Sequence, residues 1–340
     1  MLKKGSTFIR KNIGSIIIVL LLVFLIFRLL PDPATIKQSI EDIKGASIPL
    51  TILAMVFFYL TIPLNALQLD VVSKVKVRHW ITFKVQMAYL FIGKILPGSI
   101  SAFIVNSFYL LRIGHTPAQT VSVIAIKAVS TSVAFLMLAL IAIILGFSTV
   151  SGLNIGYQIE SKVNINLERL LLIFVISGIS IFWVLLKLEK VREFLNKTIK
   201  NFWSQFSSYR NRPWDIVKAV AYSFVLTTFQ ILTLMICAIA IGLDVNFTQI
   251  FIIFTLGNIM TMLVPTPGGI GAAEAGLYAG FTILGFPASQ SLAVVTLYRI
   301  ITFWIPMIPG FIFFINLRKD VLKGFSVSGE LAKVKSSRKR

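Results

Sequence analysis

Cysteine is almost absent from this chain: Cys237 is the sole thiol in 340 residues, so no disulfide can form within it. Only two histidines occur, His79 and His115, far apart and without the spacing that holds zinc. Charged residues make up 14% of the sequence, against about 25% in soluble domains, which excludes a water-soluble globular protein. Acids are the scarcest group, 13 against 33 basic residues. There is no Ser/His/Asp grouping, no phosphate-binding glycine loop and no pair of carboxylates. The expectation is therefore a chain that is no enzyme, with no metal and no cofactor.

Apolar residues are abundant. They form 56% of the chain, with a mean hydropathy of +0.87. Several runs approach the ~20 residues that a spanning helix needs. Six segments are long enough to cross: 13–30, 48–67, 118–147, 168–187, 217–242 and 287–316. The first follows Lys3, Lys4, Arg10 and Lys11, is longer than a signal-peptide core and lacks a small-residue cleavage pattern, so it reads as an uncleaved span. The fold class is all-α, a polytopic integral membrane helix bundle.

Two further apolar regions, 85–112 and 248–284, are interrupted. The first contains Pro97-Gly98, and the second contains Pro265-Thr266-Pro267-Gly268-Gly269-Ile270-Gly271. Lipid supplies no water to a broken backbone, so such breaks persist only where protein or a wet cavity satisfies the freed groups. Each half is about 18 to 25 Å long at helical rise, short for a ~30 Å hydrocarbon core. Both regions read as re-entrant helical hairpins; the alternative, in which each short helix crosses, raises the span count from six to as many as ten and leaves every other orientation unchanged. Paired breaks in corresponding places of two halves point to a translocation site.

The net charge of +20 follows the positive-inside pattern rather than a nucleic-acid surface. Basic residues crowd the N-terminus, the loop 68–84, the stretch from Lys187 to Lys218 and the tail after Arg318, whereas 31–46 and 148–168 carry an acidic excess. Both termini are expected in the cytoplasm, in a multi-pass protein of the cell membrane. Ile36, Ile40 and Ile43 share one helical face. Val191, Leu195, Ile199, Phe202 and Phe206 share another, and both stretches suit helices lying along the membrane surface.

The halves also correspond. With Val77 set on Val245, Phe83 meets Phe251 and Pro97 meets Pro265; Gly114-His115-Thr116-Pro117 parallels Gly285-Phe286-Pro287. Lys127 and Arg299 follow those glycines at nearly equal distance. The two units start in opposite directions, which is an inverted-topology repeat. The organisation expected is 1–46, a first span and interfacial helix; 47–147, repeat one; 148–216, a connecting span and basic loop; 217–317, repeat two; and 318–340, a basic tail.

Pro265-Thr266-Pro267-Gly268-Gly269-Ile270-Gly271-Ala272-Ala273-Glu274 resembles the proline–glycine signature of the lysylphosphatidylglycerol synthase membrane-domain family, also called the flippase-like domain family. Tyr298-Arg299, followed by Trp304-Ile305-Pro306 and Pro309-Gly310, is similar to that family's ending, and Leu96-Pro97-Gly98 to its first-half element. The chain departs from the pattern in having only Lys127 where a charged pair is common, and serines at 99 and 101 in place of a glycine. The resemblance extends from the first span to Leu317. It implies a lipid-translocating membrane part without the aminoacyltransferase or glycosyltransferase domain of larger members. The partners implied are membrane lipids with an anionic or zwitterionic headgroup. A separate lipid-modifying enzyme, which this chain would anchor or feed, is the alternative partner.

Four ionisable residues fall inside the apolar elements: Lys94, Lys127, Glu274 and Arg299. Glu274 is the one acid at depth, and its partner is Arg299 or Lys127. It serves either as a counter-ion or as a direct ligand or proton carrier. Arg299 suits a phosphate by its bidentate geometry. Lys94 either contacts such a group or snorkels to the interface. Gly268, Gly269 and Gly271 either present backbone amides to an anion at a helix N-terminus or permit tight packing. Gly276 and Gly280 are spaced for a close helix contact, and Pro306 and Pro309 are expected to kink the last span.

Overall fold

A computed structural model describes residues 32–73, 75, 78–96, 98–152, 212–264 and 266–322. The expected spans at 13–30 and 168–187, the amphipathic stretch at 191–206, the tail beyond 322, and the two prolines Pro97 and Pro265 lie outside the described residues. Within them the structure is helical throughout. The elements are α1 (Pro33–Lys44), α2 (Ile48–Val72), α3 (His79–Ile95), α4 (Gly98–Arg112), α5 (Pro117–Gly152), α6 (Pro213–Ala240), α7 (Phe247–Leu263), α8 (Ala272–Ile283) and α9 (Ala288–Arg299). A π-helical turn (Ile300–Trp304) then leads into α10 (Ile305–Leu322).

Four helical segments are long and apolar enough to cross a membrane: Ile48–Val72, Pro117–Leu145, Pro213–Ala240 and Ala288–Leu317. They coincide with the four expected spans that fall in the described residues. Their outward surfaces are apolar. Ile48, Ile52, Val56 and Leu60 form an exposed row at helical spacing along α2, and Leu136, Leu140 and Ile144 do so along α5. On a spanning helix such a row faces acyl chains, so its exposure carries no penalty.

Between these spans sit two pairs of shorter helices. Those of the first pair, α3 and α4, have 17 and 15 residues; those of the second, α7 and α8, have 17 and 12. At about 1.5 Å per residue, each measures roughly 18 to 26 Å. The first pair begins at His79, earlier than the expected 85, and α2 continues to Val72, so the connection is 73–78 rather than 68–84. The charges misplace that boundary because Asp70 is a helical residue with local partners. Its carboxylate lies 2.6 Å from His79 Nδ1 and accepts the Thr82 hydroxyl.

Packing is reciprocal between the halves. The leading helices α2 and α6 lie against each other, joined by a hydrogen bond from Gln68 to Ser223. Helix α3 packs on α10, the last span of the other half, and α7 packs on α5. Glycines set the closest approaches. A Cβ on Gly276 would meet the Leu256 carbonyl at 2.8 Å, and one on Gly280 would meet Ile253 Cα at 3.0 Å, so the Gly276/Gly280 pair seats α8 on α7 as expected. The largest core cluster joins α6, α7, α8 and α9 through Ile231, Leu234, Ile250, Ile253, Phe281 and Val294.

Helix α1 lies across α9. Asp32 caps it by accepting the Thr35 amide at 2.8 Å. The Thr35 hydroxyl, and then its amide, hold the Asp32 carboxyl below its usual range. Ser39 is buried and Ile43 packs on the core, whereas Ile36 and Ile40 on the flank remain exposed.

Candidate functional site

The two interruptions meet. Helix α3 stops at Ile95, and Leu96 turns extended. After α7 the chain folds through tight turns, Thr266 donating to Val264 at 2.8 Å and Gly269 to Thr266 at 3.0 Å. Gly268 then donates its amide to the Leu96 carbonyl at 3.2 Å, a backbone bond between the two breaks. Gly268 has φ 59, and a Cβ there would sit 2.6 Å from the Phe303 ring and 2.9 Å from the Lys94 carbonyl. No side chain fits, on both grounds.

Glu274 and Arg299 are paired beside this junction. Arg299 Nε donates to Glu274 Oε1 at 2.6 Å, and its terminal nitrogen donates to the Gly268 carbonyl at 3.4 Å. The second carboxylate oxygen accepts the Gly271 amide at 2.8 Å, so Glu274 also caps its own helix. The pair therefore fixes three things: the α8 N-terminus, the glycine turn and the start of the π turn. The Arg299 side chain is 11% exposed and that of Glu274 34%, so the carboxylate is the member reachable from outside.

Lys94 reaches the same place from the first half. Its Nζ donates to the Thr302 carbonyl at 3.3 Å and lies 4.7 Å from the Phe303 ring centre. The Arg299 guanidinium lies 4.4 Å from the same ring, so two cations share one aromatic group. Thr302 has a carbonyl to offer for a reason written in the sequence. Four residues on stands Pro306, which has no amide hydrogen to give it. The same proline crowds the preceding turn, and the helix there widens into the π segment Ile300–Trp304. Such single π turns recur at functional positions.

Lys127 is not in this cluster. It projects from α5 toward α2 and donates to Asn65 Oδ1. Gln68, Thr131 and Ser223 lie alongside, with Thr131 and Ser223 hydroxyls 3.5 Å apart. Lys127 stands near the middle of the span Pro117–Leu145. A lone charge there costs about 2.5–3.5 kcal/mol. Among the described residues no carboxylate pairs with it.

The structure thus brings Lys94, Glu274, Arg299, Gly268, Gly269 and Gly271 together with Gly98 and Pro267 nearby in the chain, and leaves Lys127 apart. Of the two partners open to Glu274, Arg299 is the one it takes. The glycine amides differ from an open anion cradle: those of Gly268, Gly269, Ile270 and Gly271 go to Leu96, Thr266, Pro267 and Glu274. Of the four amides, that of Gly271 goes to a carboxylate from inside the chain. Sequence reasoning missed Phe303, Thr302 and Asn65; the Thr302–Pro306 spacing was the signal available for one of them. No group of His, Cys, Asp and Glu among the described residues could hold a metal ion.

Apolar spans, interrupted short helices and a part-buried ion pair at their junction define a multi-pass helical membrane protein. The chain belongs to the family described as the lysylphosphatidylglycerol synthase TM region, which it matches over residues 12–310. It is also similar to curated proteins described as UPF0104 membrane proteins. With MJ1595 of Methanocaldococcus jannaschii it is 23% identical over 253 residues, 69% of this chain and 74% of that one. With PH1989 of Pyrococcus horikoshii it is 29% identical over 131 residues, 38% of this chain and 39% of that one. A protein of Methanothermobacter thermautotrophicus is 29% identical over 130 residues, 37% of each chain. The match thus spans about two-fifths of the latter two relatives.

Proposed function

We propose that this chain is a membrane lipid translocase that moves a phospholipid, an aminoacylated phospholipid or a polyprenyl-phosphate-linked lipid between leaflets. The observation that carries the reading is the Gly268–Leu96 bond between two helix interruptions, with Lys94, Arg299 and Glu274 gathered around it. Interrupted helices that meet within a bundle, lined by charge, are the architecture of alternating access. The reciprocal packing of α3 on α10 and α7 on α5 supports an inverted repeat of two re-entrant hairpins. The headgroup would pass between the hairpin tips while the tails stay in lipid.

In this reading the chain is no enzyme, because translocation makes and breaks no bond. Its Arg299 and Lys94 favour a headgroup phosphate, and the 34% exposed Glu274 favours an amine beside it. The charge distribution favours the cell membrane with both termini in the cytoplasm. Purified protein reconstituted in vesicles tests the proposal. Movement of fluorescent or native lipids between leaflets above empty-vesicle rates is expected. Absence of movement across anionic, zwitterionic and aminoacylated headgroups would overturn it.

The second reading is a membrane subunit that anchors or feeds a lipid-modifying enzyme, and the family's description as part of a synthase favours it. Co-purification of a transferase with a chain that moves no lipid by itself would select it.

A further inference from the structure

We infer that Lys127, with Asn65, Gln68, Thr131 and Ser223, forms a second anion-binding subsite that takes a phosphate group, separate from the junction at Glu274 and Arg299. The argument starts from an asymmetry between the halves. Setting Pro97 on Pro265 places Lys127 in the region of Arg299, and it places Asn106 opposite Glu274. Arg299 has its carboxylate. Asn106 is a neutral amide, buried and already accepting from Gln86 at 3.1 Å, so the first half supplies Lys127 with no acid.

Amides and hydroxyls surround the ammonium, the Thr131 hydroxyl donating to the Lys127 carbonyl at 3.0 Å. Asn65 and Gln68 stand three residues apart on one face of α2, Lys127 and Thr131 four apart on one face of α5, and Ser223 faces both from α6. Lys127 uses one of its three N–H groups on Asn65 Oδ1. The Gln68 amide goes to Ser223, which in turn stands 3.5 Å from the Thr131 hydroxyl. Gln68 and Ser223 are each 1% exposed, whereas Thr131 is exposed and Lys127 and Asn65 are half-buried. The inner wall, Gln68 and Ser223, is thus buried, and the exposed member is Thr131. A charged amine on an apolar span, beside amides and hydroxyls and next to the exposed Thr131, matches an anionic oxygen group.

The phosphate could come from a lipid headgroup or from the aqueous phase, and the lipid source rests on the translocase reading. The test therefore measures occupancy rather than transport. Wild-type protein in detergent is treated with formaldehyde and cyanoborohydride, and dimethylation of Lys127 is followed by mass spectrometry. Phosphatidylglycerol, diacylglycerol or inorganic phosphate is added in parallel arms. Phosphatidylglycerol is expected to slow Lys127 modification about tenfold, as one charge-assisted contact implies, with diacylglycerol inert. Equal protection by inorganic phosphate would assign the site to a free anion. Protection by neither overturns the inference, and so does an amine that stays unmodified without ligand.

A variant adds a second readout. Lys127→Gln should weaken phosphatidylglycerol binding by at least about tenfold, and Lys127→Arg should keep it. Unchanged binding in a folded Lys127→Gln protein overturns the subsite. If transport fails while Lys127 is still protected, the translocase reading falls and the subsite stands.

Discussion

The amide of Gly268 donates to the carbonyl of Leu96 across 3.2 Å, linking residues from opposite halves of the chain at the points where both lose their helices. Around that bond the charged side chains are tied to backbone groups and to one another. The Lys94 ammonium answers the Thr302 carbonyl, Arg299 answers Gly268 and Glu274, and Glu274 answers Gly271. A break in a helix within lipid survives on such terms.

Gly268 is the most constrained residue of the junction. Gly268→Ala should lower the melting temperature in detergent through two effects, the positive φ and the clash with Phe303 and the Lys94 carbonyl. Gly285 separates them. It also has positive φ, 87, but nothing lies within 4 Å of a Cβ built there. Gly285→Ala should cost about 1 kcal/mol, the conformational share alone, and Gly268→Ala several times as much. Equal losses would show that the junction tolerates a methyl group.

Glu274 has two duties, so charge reversal should not be rescued. In an ordinary ion pair, Glu274→Arg combined with Arg299→Glu recovers what either single change loses. Here an arginine at 274 cannot accept the Gly271 amide, so the swapped protein is expected to remain less stable than wild type. Removing one member of a fully buried pair costs about 3–5 kcal/mol, and less here because the Glu274 side chain is one-third exposed. Thermal unfolding of both singles and the double decides the matter. Full recovery in the double would reduce Glu274 to a counter-ion.

Much of this was legible in the sequence, and the reasons for the rest are specific. Charge scarcity isolated Glu274, Arg299, Lys94 and Lys127, and proline and glycine located both interruptions. The four spans within the described residues were visible because apolar length is a one-dimensional signal. Where α2 ends was obscured by Asp70, whose charge mimics a loop until its bonds to His79 and Thr82 are seen. The separation of Lys127 from Glu274 depends on how α5 turns relative to α2, which linear spacing does not encode. That the Gly268 amide is occupied depends on Leu96 arriving from the other half, whereas Glu274 takes the Gly271 amide from only three residues on. The π turn was foreshadowed by Pro306 but expected as a kink.

A disulfide across the junction should trap the chain. Leu96→Cys with Pro267→Cys places thiols on residues flanking the Gly268–Leu96 contact, while native Cys237 is fully buried and out of the way. Oxidation is expected to form the cross-link and to abolish lipid movement, with recovery on reduction. Transport that continues with the bond formed would mean that the tips need not part.

Lys94 and Pro306 should be energetically coupled, although they come from different halves. Lys94 supplies the donor that the Thr302 carbonyl lacks because Pro306 has no amide hydrogen. Lys94→Met alone strands that carbonyl, which should cost about 1–3 kcal/mol. Pro306→Ala restores a backbone N–H at the fourth position and lets the helix close its own bond. In the Pro306→Ala background, Lys94→Met should therefore cost less, with a coupling of about 1 kcal/mol in a double-mutant cycle on thermal or denaturant unfolding. Strictly additive losses would mean that Lys94 contributes through the Phe303 ring alone, a contact that the proline does not govern.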